Sequence, residues 1–289
     1  VSTNQTFTSF FRPKPFNLDR ANVAYNPSGA SALTVAMGKF GFPMTRTQMV
    51  WDDDLNFEGG YEQVAWSASD AVAIKLVALQ TAVNEVKSDR DSYMLGGYGE
   101  VSVAVGDHSL QFSVADYGFG HVDQVAVGRA TGPLNSILTN QVEVDAAGNI
   151  IGLVSDFNMV DVIVQAEVDT GRADYPLRLL ADVVRNTRAA SDLDTGMWFE
   201  AEYGGSRAQR SYTLGYTYGR IQQEAALSAF VFSDMPGTNQ QLHMFTIAYV
   251  PLPNLSLDLT VHISKRLEVD PGAHNAWLTR PHIAAIVRF

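Results

Sequence analysis

Between Gly41 and Gly60 the chain gathers Arg46, Trp51, Asp52, Asp53, Asp54, Asn56 and Glu58, acids and a base close enough in sequence to share one site. Asp52, Asp54 and Asn56 match positions one, three and five of a calcium loop, which supplies hard oxygen ligands at every second residue. The match breaks off at Phe57, where glycine must make the turn, and at Gln63, where a bidentate Glu belongs. Two further readings of the segment stay open: a solvated acidic turn, or a link folded into a channel, where opposed charges order water and favour small polar solutes. Catalytic spacing is absent from the sequence. There is no H-E-x-x-H, no G-x-S-x-G and no phosphate loop, G-G-Y-G around Gly97 lacks dinucleotide-site spacing, and the six His residues form no metal-spaced pair. The expectation is therefore no catalytic residue, no metal, no cofactor and no enzyme.

Bulk composition narrows what could position these groups. Of 289 residues 46% are apolar, enough for one large unit, while 18% are charged, below the roughly 25% of soluble domains. A formal charge of −11 argues against a nucleic-acid partner. Cysteine is absent, which suits passage through an oxidising periplasm. No run reaches the roughly 18 apolar residues of a membrane helix; Ala71 to Val83 is broken by Lys75 and Gln80. Membrane strands need only about 9–11 residues, with every second one facing lipid.

That period dominates the chain. From Asn254, Leu255, Leu257, Leu259, Val261 and Ile263 alternate with Ser256, Asp258, Thr260, His262 and Ser264, the two faces of a strand. Leu110, Phe112 and Val114 alternate with Ser109, Gln111 and Ser113, and Val160 to Val168 alternates with Asp161, Gln165 and Glu167, broken on the polar side by Ile163. Tyr212, Leu214, Tyr216 and Tyr218 repeat it, as do Ile283, Ala285, Val287 and Phe289 against His282, Ala284, Ile286 and Arg288. A soluble sandwich alternates too; the loops separate the cases. Short links at Ser28-Gly29, Gly106-Asp107, Thr170 to Asp174, Gly204 to Gln209 and Pro251 to Asn254 are interleaved with long ones at Gly41 to Gly60, Val83 to Asp91, Gly118 to Phe157, Arg185 to Thr195, Gln222 to Asn239 and Lys265 to Ala276. Such sorting predicts an all-β, transmembrane, antiparallel up-and-down barrel, one domain over 1–289, with short periplasmic turns and long outer loops. Tyr25, Trp66, Tyr175, Tyr203, Tyr249 and Trp277 fit interfacial girdles.

Several stretches carry a family likeness. N-L-D-R-A-N-V-A-Y-N-P from Asn17, G-K-F from Gly38, W-D-D-D-L-N-F-E-G-G from Trp51, S-D-F from Ser155, Y-P-L-R-L-L-A-D-V-V-R-N-T from Tyr175 and L-G-Y-T-Y from Leu214 resemble the bacterial putative porin family. The resemblance implies a bacterial outer-membrane barrel of about sixteen strands. About thirteen are expected here from Asn17 onward, with Ser2 to Phe7 resembling an outer loop and about three strands and a leader expected ahead of Val1. The implied function is passive diffusion of ions and small hydrophilic solutes through a water-filled lumen, with mild cation preference from the acidic balance. Lipid is the implied surrounding and a homotrimer the implied assembly. The competing reading is a structural barrel that anchors the outer membrane through a preceding segment.

On the barrel reading, residues 41–60 form the constriction and 118–157 a long outer insertion: a hairpin, a plug or a subunit contact. The expected pore lining is Arg20, Lys39, Asp161, Gln165, Glu167, Arg178, Asp182, Glu200, Glu202, Asp258, His262, Arg280 and Arg288. Arg20, Lys39 and Arg178 are expected to face the loop acids across the pore.

Overall fold

The structure is a computed structural model that describes residues 18–85, 90–131, 139–205, 208–235, 237–269 and 271–288. Phe289 and the Ser2 to Phe7 stretch lie outside the described residues. Thirteen strands form one antiparallel sheet: β1 (Ala21–Tyr25), β2 (Leu33–Gly41), β3 (Asn56–Ser69), β4 (Val72–Asn84), β5 (Ser92–Val105), β6 (His108–Gly120), β9 (Asn158–Val168), β10 (Leu177–Asn186), β11 (Thr195–Gly204), β12 (Tyr212–Ile221), β13 (Gln240–Leu252), β14 (Leu255–Arg266) and β15 (Leu278–Val287). Each strand pairs with its neighbours in chain order, and β6 pairs with β9 across the insertion, which contains α1 (Asp123–Thr131) and a separate hairpin of β7 (Val142–Val144) and β8 (Ile150–Leu153). Within the described residues β1 and β15 each have one paired neighbour, so the sheet is not closed.

The longest strands, β3 and β5, have 14 residues each. At about 3.4 Å per residue and a tilt of about 40°, such a strand rises about 35 Å, more than the roughly 25–30 Å of hydrocarbon. Alternate side chains sort inside out relative to a soluble protein. On β14, Leu257 and Leu259 are 46% and 37% exposed, while Ser256, His262 and Ser264 are buried. Their outward neighbours in register are Tyr249 and Ile247 on β13 and Ala285 and Ile283 on β15. Leu110, Phe112 and Val114 on β6, Leu179 and Val183 on β10, and Tyr212, Leu214 and Tyr216 on β12 are likewise exposed. An apolar surface this continuous is unstable against water and is the surface that acyl chains cover.

The links alternate as expected, and the structure adds one the sequence reading passes over: a tight turn at Asp70 and Ala71 joins β3 to β4. Tyr175, Tyr203 and Tyr212 cluster at the short-turn end, with ring centroids 4.8 to 6.3 Å apart, and Tyr212 is paired with Tyr249. Gly59, inside the W-D-D-D-L-N-F-E-G-G stretch, shows why that position takes no side chain. A Cβ there would stand 2.0 Å from the carbonyl oxygen of Gln80 on β4.

The outward face yields a direct test. Leu259→Arg, near the middle of β14, is expected to cost about 2–4 kcal/mol of folding free energy in lipid, whereas Thr260→Val on the opposite face leaves membrane insertion intact. Denaturant titration of the barrel refolded into vesicles measures both.

Candidate functional site

The outer links do not stay outside. Residues 42–55 fold onto the inner face, where Trp51 and Met49 are completely buried. Trp51 sits among Phe42, Phe57, Tyr117, Phe119 and Phe230 at centroid distances of 5.1 to 6.2 Å, and offset and edge-on packing adds to the area such rings bury. The strands receive the loop with apolar inner residues at their outer ends: Phe40, Met94, Tyr117, Met159, Val184, Trp198, Ile221 and Leu242. At its outer end that part of the inner face is therefore covered by the loop. Alternation marks which residues point inward and does not reveal which of them another segment covers.

Polar contacts span the lumen along the same loop. Thr45 donates its hydroxyl to Glu100 on β5 at 3.0 Å and its amide to Tyr98 Oη at 3.2 Å. Lys75 on β4 and Gln111 on β6 also reach Glu100, at 3.1 and 3.0 Å. Thr47 donates to Asp182 on β10. At the far end the Asp52 amide donates to the Phe230 carbonyl at 2.8 Å, and the Asp52 carboxylate accepts from the Ser233 amide at 2.6 Å. Residues 42–55 thus bridge the β4–β6 wall, the β10 wall and the 222–239 link.

Beside this bridge lies a cleft of about 300 Å³ lined by Arg46, Gln48 and Asp53 of the loop and by Glu200, Glu202, Thr217 and Thr246 of the wall. Arg46 donates to the Asp53 carbonyl at 2.8 Å, its guanidinium carbon lies 5.1 Å from the Phe42 ring centroid, and Gln48 donates to the Asp53 carboxylate at 2.7 Å. Burial lowers the Arg46 pKa from its ordinary value, partly offset by Asp53 and Asp52. Lower in the lumen Arg178 donates to Glu167 on β9 and Glu202 on β11, both at 2.8 Å.

The predicted residues separate accordingly. Gln165, Glu167, Arg178, Glu200, Glu202 and Asp258 lie on the inner, partly exposed wall. Asp161 and Asp182 also point inward, but the loop covers them at 2% and 0% exposure, so they do not face open water. Asp52 and Trp51 are structural anchors, with Asp53 and Arg46 left at the cleft. Lys39 and Glu58 need correction: paired in register and 3.3 Å apart, they share the outward face with Met37, because Phe40 and Phe57 take the inner positions. Asn56 begins β3 instead of belonging to the loop, and it holds Arg20 at 2.7 Å and Asp19 at 2.8 Å at the exposed outer rim, away from the cleft. Those engagements of Asp52 and Asn56 leave the calcium pattern without a shared centre. Arg288 lies exposed beyond β15 at the periplasmic end, its amide on the Asn254 carbonyl at 2.9 Å. His262 and Arg280 are inner and directly opposed across β14–β15. His262 and His282, twenty residues apart, meet with centroids 4.7 Å apart, a pairing the linear spacing conceals.

The insertion is tied to the 222–239 link. Asn140 donates to the Gln223 and Ala226 carbonyls at 2.7 and 2.9 Å and accepts from the Ser228 amide at 2.8 Å. Thr139 accepts from the Thr238 amide at 2.7 Å, and Glu224, fully buried, accepts from the Gln141 amide at 2.8 Å. Burial raises the Glu224 pKa above its ordinary value.

A one-sheet barrel with apolar residues outside and charges inside is now in view, with one loop laid across its lumen. Residues 1–132 match the family described as Putative porin. The fold is that of a membrane-spanning antiparallel β-barrel, and over those residues the sequence is similar to that family. Its fold is similar to that of OprB of Pseudomonas putida in a high-pH structure, with 14% sequence identity and a TM-score of 0.54 over 89% of this chain and 70% of that one. Weaker likenesses are to OccD3 (OpdP) of Pseudomonas aeruginosa, 11% identical over 89% of this chain and 75% of that one with a TM-score of 0.34, and to LpxR of Salmonella typhimurium, 10% identical over 79% and 88% with a TM-score of 0.30. No curated protein matches the chain in sequence.

Two outcomes are expected from this geometry. Trp51→Ala empties the aromatic pocket and is expected to cost about 3–5 kcal/mol, read as a lower unfolding midpoint in detergent and faster proteolysis within 42–55. Because the Glu224 pKa is raised on folding, its contribution is complete below the ordinary carboxylate range and is lost as pH climbs through the raised value. Hydrogen exchange in 139–157, corrected for the intrinsic rise of amide exchange with pH, is expected to speed up over that rise in the native protein. In Glu224→Gln, which keeps the acceptor for Gln141, the acceleration is expected to disappear.

Proposed function

We propose that this barrel is a general diffusion porin, passing ions and small hydrophilic solutes without energy input, with residues 42–55 and their cleft as the constriction. The observation that carries this reading is the loop laid across the inner face with Arg46 and Asp53 at its open edge opposite Glu200 and Glu202. The sequence predicts acids on the loop and bases on the wall. The proposed arrangement is mixed on the loop and acidic on the wall. Charges of opposite sign across a narrow gap orient water and penalise apolar solutes, and at low dielectric their field is strong.

With Glu200 and Glu202 on the wall and an overall charge of −11, the pore is assigned a mild preference for cations. Residues 118–157 serve in this reading as an outer cover that steadies the 222–239 link, and the assembly is taken to be a homotrimer.

Planar-bilayer recordings under a KCl gradient test the assignment. The native protein is expected to give a cation-selective reversal potential. Arg46→Ala is expected to increase that selectivity, and the double substitution Glu200→Gln with Glu202→Gln to abolish it. Clear anion selectivity of the native protein, or no conductance from correctly folded protein, would sink the reading.

A further inference from the structure

Away from the cleft, at the β14–β15 seam, three donor side chains converge that diffusion does not need. His262 on β14, His282 on β15 and Asp234 on the 222–239 link each offer one ligand atom, and those atoms all lie within 4.8 Å of one another. The two histidines come together because Thr260, not His262, is the register partner of His282. They are thus diagonal neighbours on the inner face, a relation that brings long side chains into reach. Asp234 Oδ2 is 3.6 Å from His282 Nδ1.

His262 sets this cluster apart from an ordinary polar patch. It is 3% exposed, its Nδ1 has no hydrogen-bond partner among the described residues, and Phe232 of the same link stacks on its ring at 5.7 Å. A buried imidazole nitrogen without a partner is costly and asks for an occupant. The companion donors, another imidazole and a carboxylate, are about half-buried and reachable from the lumen.

We infer that His262, His282 and Asp234 form a binding site for a borderline transition-metal cation such as Zn²⁺. Two neutral imidazoles and one carboxylate are a donor set that suits zinc and leaves a fourth position for water. Tetrahedral bonds of about 2.0–2.1 Å place donor atoms about 3.3 Å apart, so small side-chain rotations complete the shell. Hard cations such as Ca²⁺, which want six or more oxygens, are not matched. Arg280, opposite His262 on the same face, is a like charge; it holds the expected affinity to the micromolar range. Because Asp234 belongs to the link that carries Phe230 and Ser233, the partners of Asp52, a bound metal pins that link to the barrel wall.

Isothermal titration of untagged, detergent-purified protein with ZnCl₂ tests the site without reference to conduction. One equivalent is expected to bind with micromolar affinity. His282→Asn and Asp234→Asn, both at partly exposed positions, are each expected to weaken binding at least tenfold with unchanged circular dichroism. Cu²⁺ in place of Zn²⁺ is expected to give an electron paramagnetic resonance spectrum with nitrogen hyperfine splitting, lost in His262→Gln/His282→Asn. No binding by native protein, or binding unchanged in the variants, overturns the inference.

Discussion

Every strand of this sheet must satisfy its backbone without water, because lipid offers no hydrogen-bond partner on the outer side. An unpaired amide or carbonyl there costs several kcal/mol. Sequential antiparallel pairing meets that demand on both sides of every strand of the sheet between β1 and β15 and on one side of those two among the described residues, and the period of two follows from it. Once the backbone is fixed as strand, each residue must choose lipid or lumen. Leu257 and Leu259 outside with Ser256 and His262 inside are the consequence of that choice, repeated around the sheet.

The lumen then presents the opposite problem. A sheet of this breadth encloses more space than its own side chains fill, and the outer half is filled by its loops. Trp51 is the anchor, seated in a pocket of rings drawn from β3, β6 and the 222–239 link. Around it, hydrogen bonds from Thr45, Thr47 and Asp52 fix the same segment to three separate parts of the structure. The contrast between an aromatic outer half and a charged periplasmic half divides the lumen into a packed region and a solvated one. Arg46 and Asp53 sit where the two meet.

Much of this was legible in the sequence, for a physical reason. Lipid imposes a residue-by-residue rule, so alternation in 254–264 reports strand, face and environment together. The loop lengths reported direction, and the run of acids after Trp51 marked the segment that turns inward. What stayed hidden depends on contacts between distant segments. Lys39 and Glu58 look like pore charges until Phe40 and Phe57 claim the inner positions beside them. Asp161 and Asp182 look like pore lining until both prove buried, Asp182 with Thr47 bonded to it. Glu100, Lys75 and Gln111 were each ordinary polar residues in strands, and only the register makes them a set. The short helix α1 is only nine residues long and, with Val122 just before it, buries one brief apolar stripe, Val125 and Ala126, too short for its periodicity to be read. The meeting of His262 with His282 is a product of strand pairing that no linear spacing encodes.

The clamp joining Thr139 and Asn140 to residues 223–238 also bears on how the molecule is made. Its bonds link positions 83 to 99 residues apart, so the entropic penalty of bringing those segments together is met only after β9 to β12 have assembled. The stretch between β6 and β9 must therefore remain unclosed while four further strands arrive. Until then the aromatic residues destined for the interior are exposed. The maturing chain is at its most aggregation-prone late in assembly, and the last event to protect it is the docking of its outer segments on one another.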